Sequence, residues 1–114
     1  MKVLNLYGAM CLLLVSCSPY EQERWASVTI DGRRAPGFML VMKGGEIIGG
    51  HDTCNGWGLS EHPDLLVMTA QECPLDDNTK AYWALARGEG ATYAQRGTKL
   101  IAKRGAHIGV FHKF

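Results

Sequence analysis

Apolar and polar residues alternate with period two through most of this chain. In Trp25-Ala-Ser-Val-Thr-Ile30 the spacing puts Ala26, Val28 and Ile30 on one face of a half-buried strand. Asp31-Gly32 then starts a turn, and Pro36 extends the loop behind it. Phe38 to Met42 is a continuous apolar run, and Gly44-Gly45 separates it from Ile47 and Ile48. That is the pattern of a two-residue hairpin, because both glycines can take positive φ. Asn55 to Leu59 and Leu65 to Thr69 predict two more strands, with Glu61-His62-Pro63-Asp64 turning between them. Ala91 to Arg96, Lys99 to Arg104 and His107 to Phe114 predict a closing meander, joined at Gly97-Thr98 and Gly105-Ala106.

One segment has helical spacing instead. Pro74 suits the first helical position, Asp76 and Asp77 put negative charge in the first turn, and Gly88 suits the position after the last turn. Leu75, Tyr82, Leu85 and Ala86 share a face. The expected fold is mainly β: an antiparallel sheet of about eight short strands, curled into a small barrel or half-barrel, with one helix packed on it. The helix falls between the fifth and sixth strands.

The first residues follow another rule. Met1-Lys2 is a positive start, and Gly8 to Val15 is apolar but far shorter than the roughly 20 residues a spanning helix needs. Leu14-Val15-Ser16-Cys17 looks like the cleavage and lipidation site of a bacterial lipoprotein. The expected organisation is a signal peptide over 1–16, a lipidated tether over 17–24 and a folded domain over 25–114. By resemblance to Gram-negative lipoproteins, Ser18 after Cys17 suggests the outer membrane, facing the periplasm.

Removing the leader leaves 98 of 114 residues, enough for one domain, with 11 basic and 11 acidic side chains once Lys2 is gone. That balance argues against a nucleic-acid partner. Arg33-Arg34 and Lys103-Arg104 are too short to count as basic tracts and read as solvated turn charges. The expected partners are the membrane, through a lipid at Cys17, and an envelope protein.

Four cysteines divide by fate. Cys11 leaves with the leader, Cys17 carries the lipid, and Cys54 and Cys73 remain in a compartment where disulfides persist. Three readings of that pair stay open. A disulfide across the eighteen intervening residues would stabilise the fold by about 3 kcal/mol. Two buried free thiols are the second reading. A metal site on the His51-x-x-Cys54 step, completed by His62 or Cys73, is the third, although such sites usually present tighter cysteine pairs.

Catalytic patterns are thin. Cys54 stands near His51 and Asp52, but on a continuing strand His51 and Cys54 point to opposite faces, so a Cys–His pair needs a bend. Neither a Gly-x-Ser-x-Gly elbow nor a His-Glu-x-x-His pair is present. No cofactor is expected, and the chain reads as noncatalytic. Most aromatics should fill the core. Tyr82 and Trp83 are helix neighbours that cannot both face inward, which makes Trp83 a candidate contact residue.

Cys54-Asn55, then Trp57-Gly58, Thr69 and Cys73-Pro74 ahead of a helix with Tyr82-Trp83 and Leu85, resembles the META domain, the family of HslJ-type heat-shock envelope lipoproteins. The likeness spans Trp25 to Phe114. The chain departs from the usual pattern at Thr53, where glycine is common, and at Gln71-Glu72, where an apolar and a small residue are common. The resemblance implies a compact antiparallel domain with no accepted catalytic mechanism. Cys54, Asn55, Trp57, Thr69, Cys73 and Pro74 carry over as structural signature positions. The expected function is a noncatalytic envelope lipoprotein that acts by protein contact in envelope maintenance or stress response. The alternatives are an inhibitor of an envelope hydrolase such as lysozyme, or a small-ligand-binding barrel.

Overall fold

The computed structural model describes residues 21–59 and 65–114. The expected signal peptide, the expected lipidation site Cys17 and the expected turn over 61–64 lie outside them. Nine strands and one helix follow in chain order: β1 (Gln22–Ile30), β2 (Arg33–Arg34), β3 (Phe38–Lys43), β4 (Glu46–Asp52), β5 (Gly56–Leu59), β6 (Leu66–Met68), α1 (Asp77–Arg87), β7 (Thr92–Arg96), β8 (Lys99–Arg104) and β9 (His107–Lys113). All pairings are antiparallel, in the order β6-β5-β4-β3-β1-β9-β8-β7, with β2 paired to the end of β1. Apart from β2, the eight strands and the helix stand in the order the alternation predicts.

The sheet curls without closing, leaving β6 and β7 as its two edges. The chain passes from one edge to the other through α1, which lies in the concave face and touches β4, β1, β9 and β8. Trp25, Leu40, Tyr82, Leu85, Leu100 and Phe111 are fully buried between helix and sheet. A half-barrel this small is filled by its own side chains, and the helix serves as its plug.

The turns follow glycine chemistry. Asp31-Gly32 and Gly44-Gly45 both take positive φ, which suits two-residue hairpins. The first returns the chain as β2, so Arg33 and Arg34 occupy a short strand rather than a loop.

Two expectations need correction. The inward face of β1 is Trp25, Ser27 and Ile30, not Ala26, Val28 and Ile30; Val28 is 39% exposed. The register shifts between Ser27 and Thr29, and a bulge there inverts the alternation. Buried Ser27 then donates its hydroxyl to the Ala35 carbonyl and accepts from Phe38 N.

The helix also starts later than Pro74 suggests. Asp76 is the N-cap, and its carboxylate accepts from Thr79 N at 2.8 Å. Leu75 therefore precedes the helix and is 62% exposed, while Thr79, Ala81, Tyr82, Leu85 and Ala86 form the buried face. At the other end Gly88 keeps a negative φ. Its absent side chain leaves room for Arg104, whose guanidinium donates to the Glu89 carbonyl at 2.8 Å.

Candidate functional site

The sequence signals converge on one end of the half-barrel, where β4 turns into β5. β4 ends at Asp52, and the chain reverses through Thr53 and Cys54, with Asp52 N donating to Asn55 O at 3.0 Å. Thr53 sits at φ 73°, a conformation that β-branched residues rarely adopt. Asp52 holds this turn from inside. Its Oδ1 accepts from Cys54 N at 3.1 Å and from Asn55 N at 2.6 Å, an Asx-type bridge. Its Oδ2 accepts from the Trp83 indole N–H at 3.1 Å. A buried carboxylate with both oxygens engaged is an anchor for the turn, not a free base.

Asn55 extends the same logic to the next segment. Its Nδ2 donates to the Gln71 carbonyl at 2.9 Å, and its Oδ1 accepts from Gln71 N at 3.0 Å and from Thr69 Oγ1 at 2.8 Å. Beyond Thr69, whose N–H still donates to the Gly56 carbonyl at 3.0 Å, one buried carboxamide thus stands in for a strand partner to Gln71. The arrangement delivers Cys73 to Cys54: the two stand at disulfide distance, with Cα atoms 6.4 Å apart.

Beneath the turn, Trp57 Nε1 donates to the Tyr82 hydroxyl at 2.8 Å, and that hydroxyl donates to the Met39 carbonyl at 2.6 Å. Burial pushes the Tyr82 phenol well above its usual range, so it stays a neutral donor. Trp57 and Trp83 lie with ring centroids 5.1 Å apart. Gly50 has no side chain because the Met39 carbonyl and the Tyr82 hydroxyl occupy the space a Cβ would need.

Outside these anchors a groove of about 770 Å³ runs between the cysteine-bearing segments and α1. Met68, Pro74, Leu75, Lys80 and Trp83 line it, with Asp52, Asn55 and Cys73 at its base. Trp83 is half-buried there, which fits a side chain that packs on Trp57 and shows one edge to the groove.

Cys54, Asn55, Trp57, Thr69, Cys73 and Pro74 all lie at this end of the half-barrel. Cys54 and Cys73 meet, Asn55 and Thr69 are hydrogen-bonded, Trp57 is tied to the helix, and Pro74 forms the groove wall. No protein-family model, curated protein or solved structure matches this chain.

In the sequence Asp52 stands out only beside His51 and Cys54, and Gln71 only as a departure from the family pattern; neither carries a structural role there. An aspartate three residues before an asparagine at a strand end is an Asx-turn pattern, and that signal was available for Asp52. Gln71 contributes its backbone, which leaves no side-chain signature. The bend that a Cys–His pair requires does exist at Thr53, but the His51 ring turns to its own turn, Nδ1 accepting from Thr53 N at 3.2 Å. Among the described residues no group of three or more His, Cys, Asp or Glu side chains is placed to hold a metal ion.

Proposed function

We propose that this chain is a noncatalytic bacterial-envelope lipoprotein with a META/HslJ-like domain, anchored through Cys17 and acting by protein contact in envelope maintenance or stress response. The observation that carries the reading is the use made of the polar residues around the cysteines. Asp52 and Asn55 spend their hydrogen-bonding capacity on the backbone and on Trp83, and Cys73 is held against Cys54. A nucleophile needs a free base within reach, and these groups are committed to shape. They support a fixed surface, in which Trp83 and the groove beside it form the contact region.

An oxidised Cys54–Cys73 pair belongs to the same reading, since such bridges persist outside the cytoplasm. A ligand-carrying barrel has less support, because Trp25, Tyr82 and Phe111 fill the concave face and the remaining space is the groove at the rim.

The test is complementation of a deletion strain. The wild-type gene should restore resistance to envelope stress, with the protein in the membrane fraction. Cys17→Ala should leave a folded domain that is mislocalised and fails to complement. A deletion with no envelope phenotype, or full complementation by Cys17→Ala, contradicts the proposal.

A further inference from the structure

The balanced charge of the whole chain conceals a segregation on the surface. Alternation along β7, β8 and β9 turns Tyr93, Leu100, Ala102, Gly109 and Phe111 toward the helix. The opposite set faces away from it. The pairings Arg96↔Lys99, Lys99↔His112, Ile101↔Val110 and Lys103↔Ile108 place these outward residues side by side on the convex face. Exposed Arg96, Lys99 and Lys103 surround an aliphatic centre of Ile101, Val110 and Ile108, the last 43% exposed. Val28 continues this centre on β1, beside the Thr29↔Val110 pairing, because the bulge turns it outward.

The outward positions of β7, β8 and β9 hold no Asp or Glu. Asp31, at the rim, is engaged by the His107 ring and by Ile108 N, both at 2.8 Å. Asp52, Glu72 and Asp76 line the groove on the other side, and Glu23 on β1 pairs with Lys113 at 3.1 Å. Beyond β9, Phe114 is 69% exposed, and its N–H donates to the Arg24 carbonyl at 3.1 Å. An aromatic ring and an exposed arginine thus stand together near the start of β1.

We propose that this convex face docks on an anionic phospholipid surface. Cations ringing an aliphatic centre match phosphate headgroups over an apolar layer, and like charges without carboxylates among them are attracted as a set. The outward positions of β7, β8 and β9 carry no Phe, Tyr or Trp on which the bases of a nucleic acid would stack, and Phe114 stands alone beyond them. The placement suits a tethered protein: β1 begins at Gln22, five residues beyond Cys17, and pairs with β9. The inference rests on the anchored reading for its biological setting, and its chemistry stands on the face alone. With the convex face on the lipid, the helix side and its groove point away from the membrane toward a partner.

Amine acylation of the full-length protein, read by mass spectrometry, tests this on phosphatidylcholine vesicles with and without phosphatidylglycerol. Flotation on pure phosphatidylcholine reports the anchor; lysine protection reports the face. Lys99 and Lys103 should become at least about fivefold less reactive on the anionic vesicles, and 0.5 M salt should reverse this as screening shortens. Lys80 on the helix should stay reactive. Arg96→Glu with Ile108→Glu, both exposed and outside the core, should abolish the protection without lowering the melting temperature. Equal reactivity of Lys99, Lys103 and Lys80 on both vesicles overturns the docking face, and flotation then leaves the anchor standing. Protection without flotation on phosphatidylcholine supports the face and removes the anchor. Protection by a soluble polyanion but not by anionic vesicles also overturns the proposal.

Discussion

The Asn55 carboxamide meets the backbone of Gln71 as a neighbouring strand would, donating to its carbonyl at 2.9 Å and accepting from its N–H at 3.0 Å. This pair of bonds fixes the course of the chain from β6 to the helix. The approach of Cys73 to Cys54, the wall of the groove and the height at which α1 enters all depend on it.

Asn55→Ala should therefore destabilise the fold by about 2 kcal/mol, since it strands the Gln71 backbone and the Thr69 hydroxyl together. Asn55→Asp, which keeps the acceptor and loses the donor, should fall between wild type and alanine. Urea denaturation followed by circular dichroism gives both values.

The cysteine pair is assigned a covalent role. Cys54→Ser with Cys73→Ser should lower stability by about 3 kcal/mol, the loop-entropy value for a bridge of this span. Reductant should lower the melting temperature of wild type toward that of the double variant and leave the variant unmoved. If the wild type ignores reductant, the pair is not bridged.

Tyr82→Phe removes the hydroxyl between Trp57 Nε1 and the Met39 carbonyl, leaving two buried polar groups without their partner. A loss of about 1–3 kcal/mol is expected with the fold intact. Gly50→Ala forces a methyl into the same space and should cost about 2 kcal/mol or more. Thermal melts of the two variants check this, and a neutral Gly50→Ala would show that the packing is looser than described.

Acid should weaken the domain in part through two aspartates. Burial pushes Asp31 up, yet hydrogen bonds from His107 and from Ile108 N outweigh it and hold the carboxyl below its ordinary 3.8. Asp76 is held below the same value by Thr79 N and the Thr79 hydroxyl. A carboxyl depressed in the folded state contributes stability that is fully present above its unfolded value. That contribution should be constant above about pH 5 and decline as the pH falls through 3.8 and below. A urea midpoint measured at steps from pH 6 to pH 2.5 checks it, and Asp31→Asn should flatten part of the decline.

Much of this architecture was legible in the alternation itself. Gly44-Gly45, Gly97-Thr98 and Gly105-Ala106 punctuate the chain where the hairpins form, and Gly44, Gly45, Gly97 and Gly105 take the positive φ that favours glycine. The Tyr82, Leu85 and Ala86 spacing also identifies the buried side of the helix. The failures have specific causes. A bulge at Val28 inverts the face of β1, and period two carries no record of an inserted residue. Pro74 looks like a helix start but belongs to the segment that Asn55 and Cys73 hold, so Asp76 caps the helix two residues later. Of the site, Cys54, Asn55 and Cys73 stood out in the sequence, whereas the contribution of Gln71 lies in a backbone no residue code reveals. The basic convex face was hidden because Arg96, Lys99 and Lys103 become neighbours only through strand pairing.

On the proposed function, Cys17 carries a lipid and the Cys54–Cys73 pair of the domain behind it is oxidised. Intact mass spectrometry of protein extracted from membranes without reductant tests it most directly. The expected mass is that of a chain cleaved before Cys17, carrying acyl groups, and lighter by two hydrogens than its dithiol form. An unlipidated mass, or free thiols on Cys54 and Cys73, would contradict it.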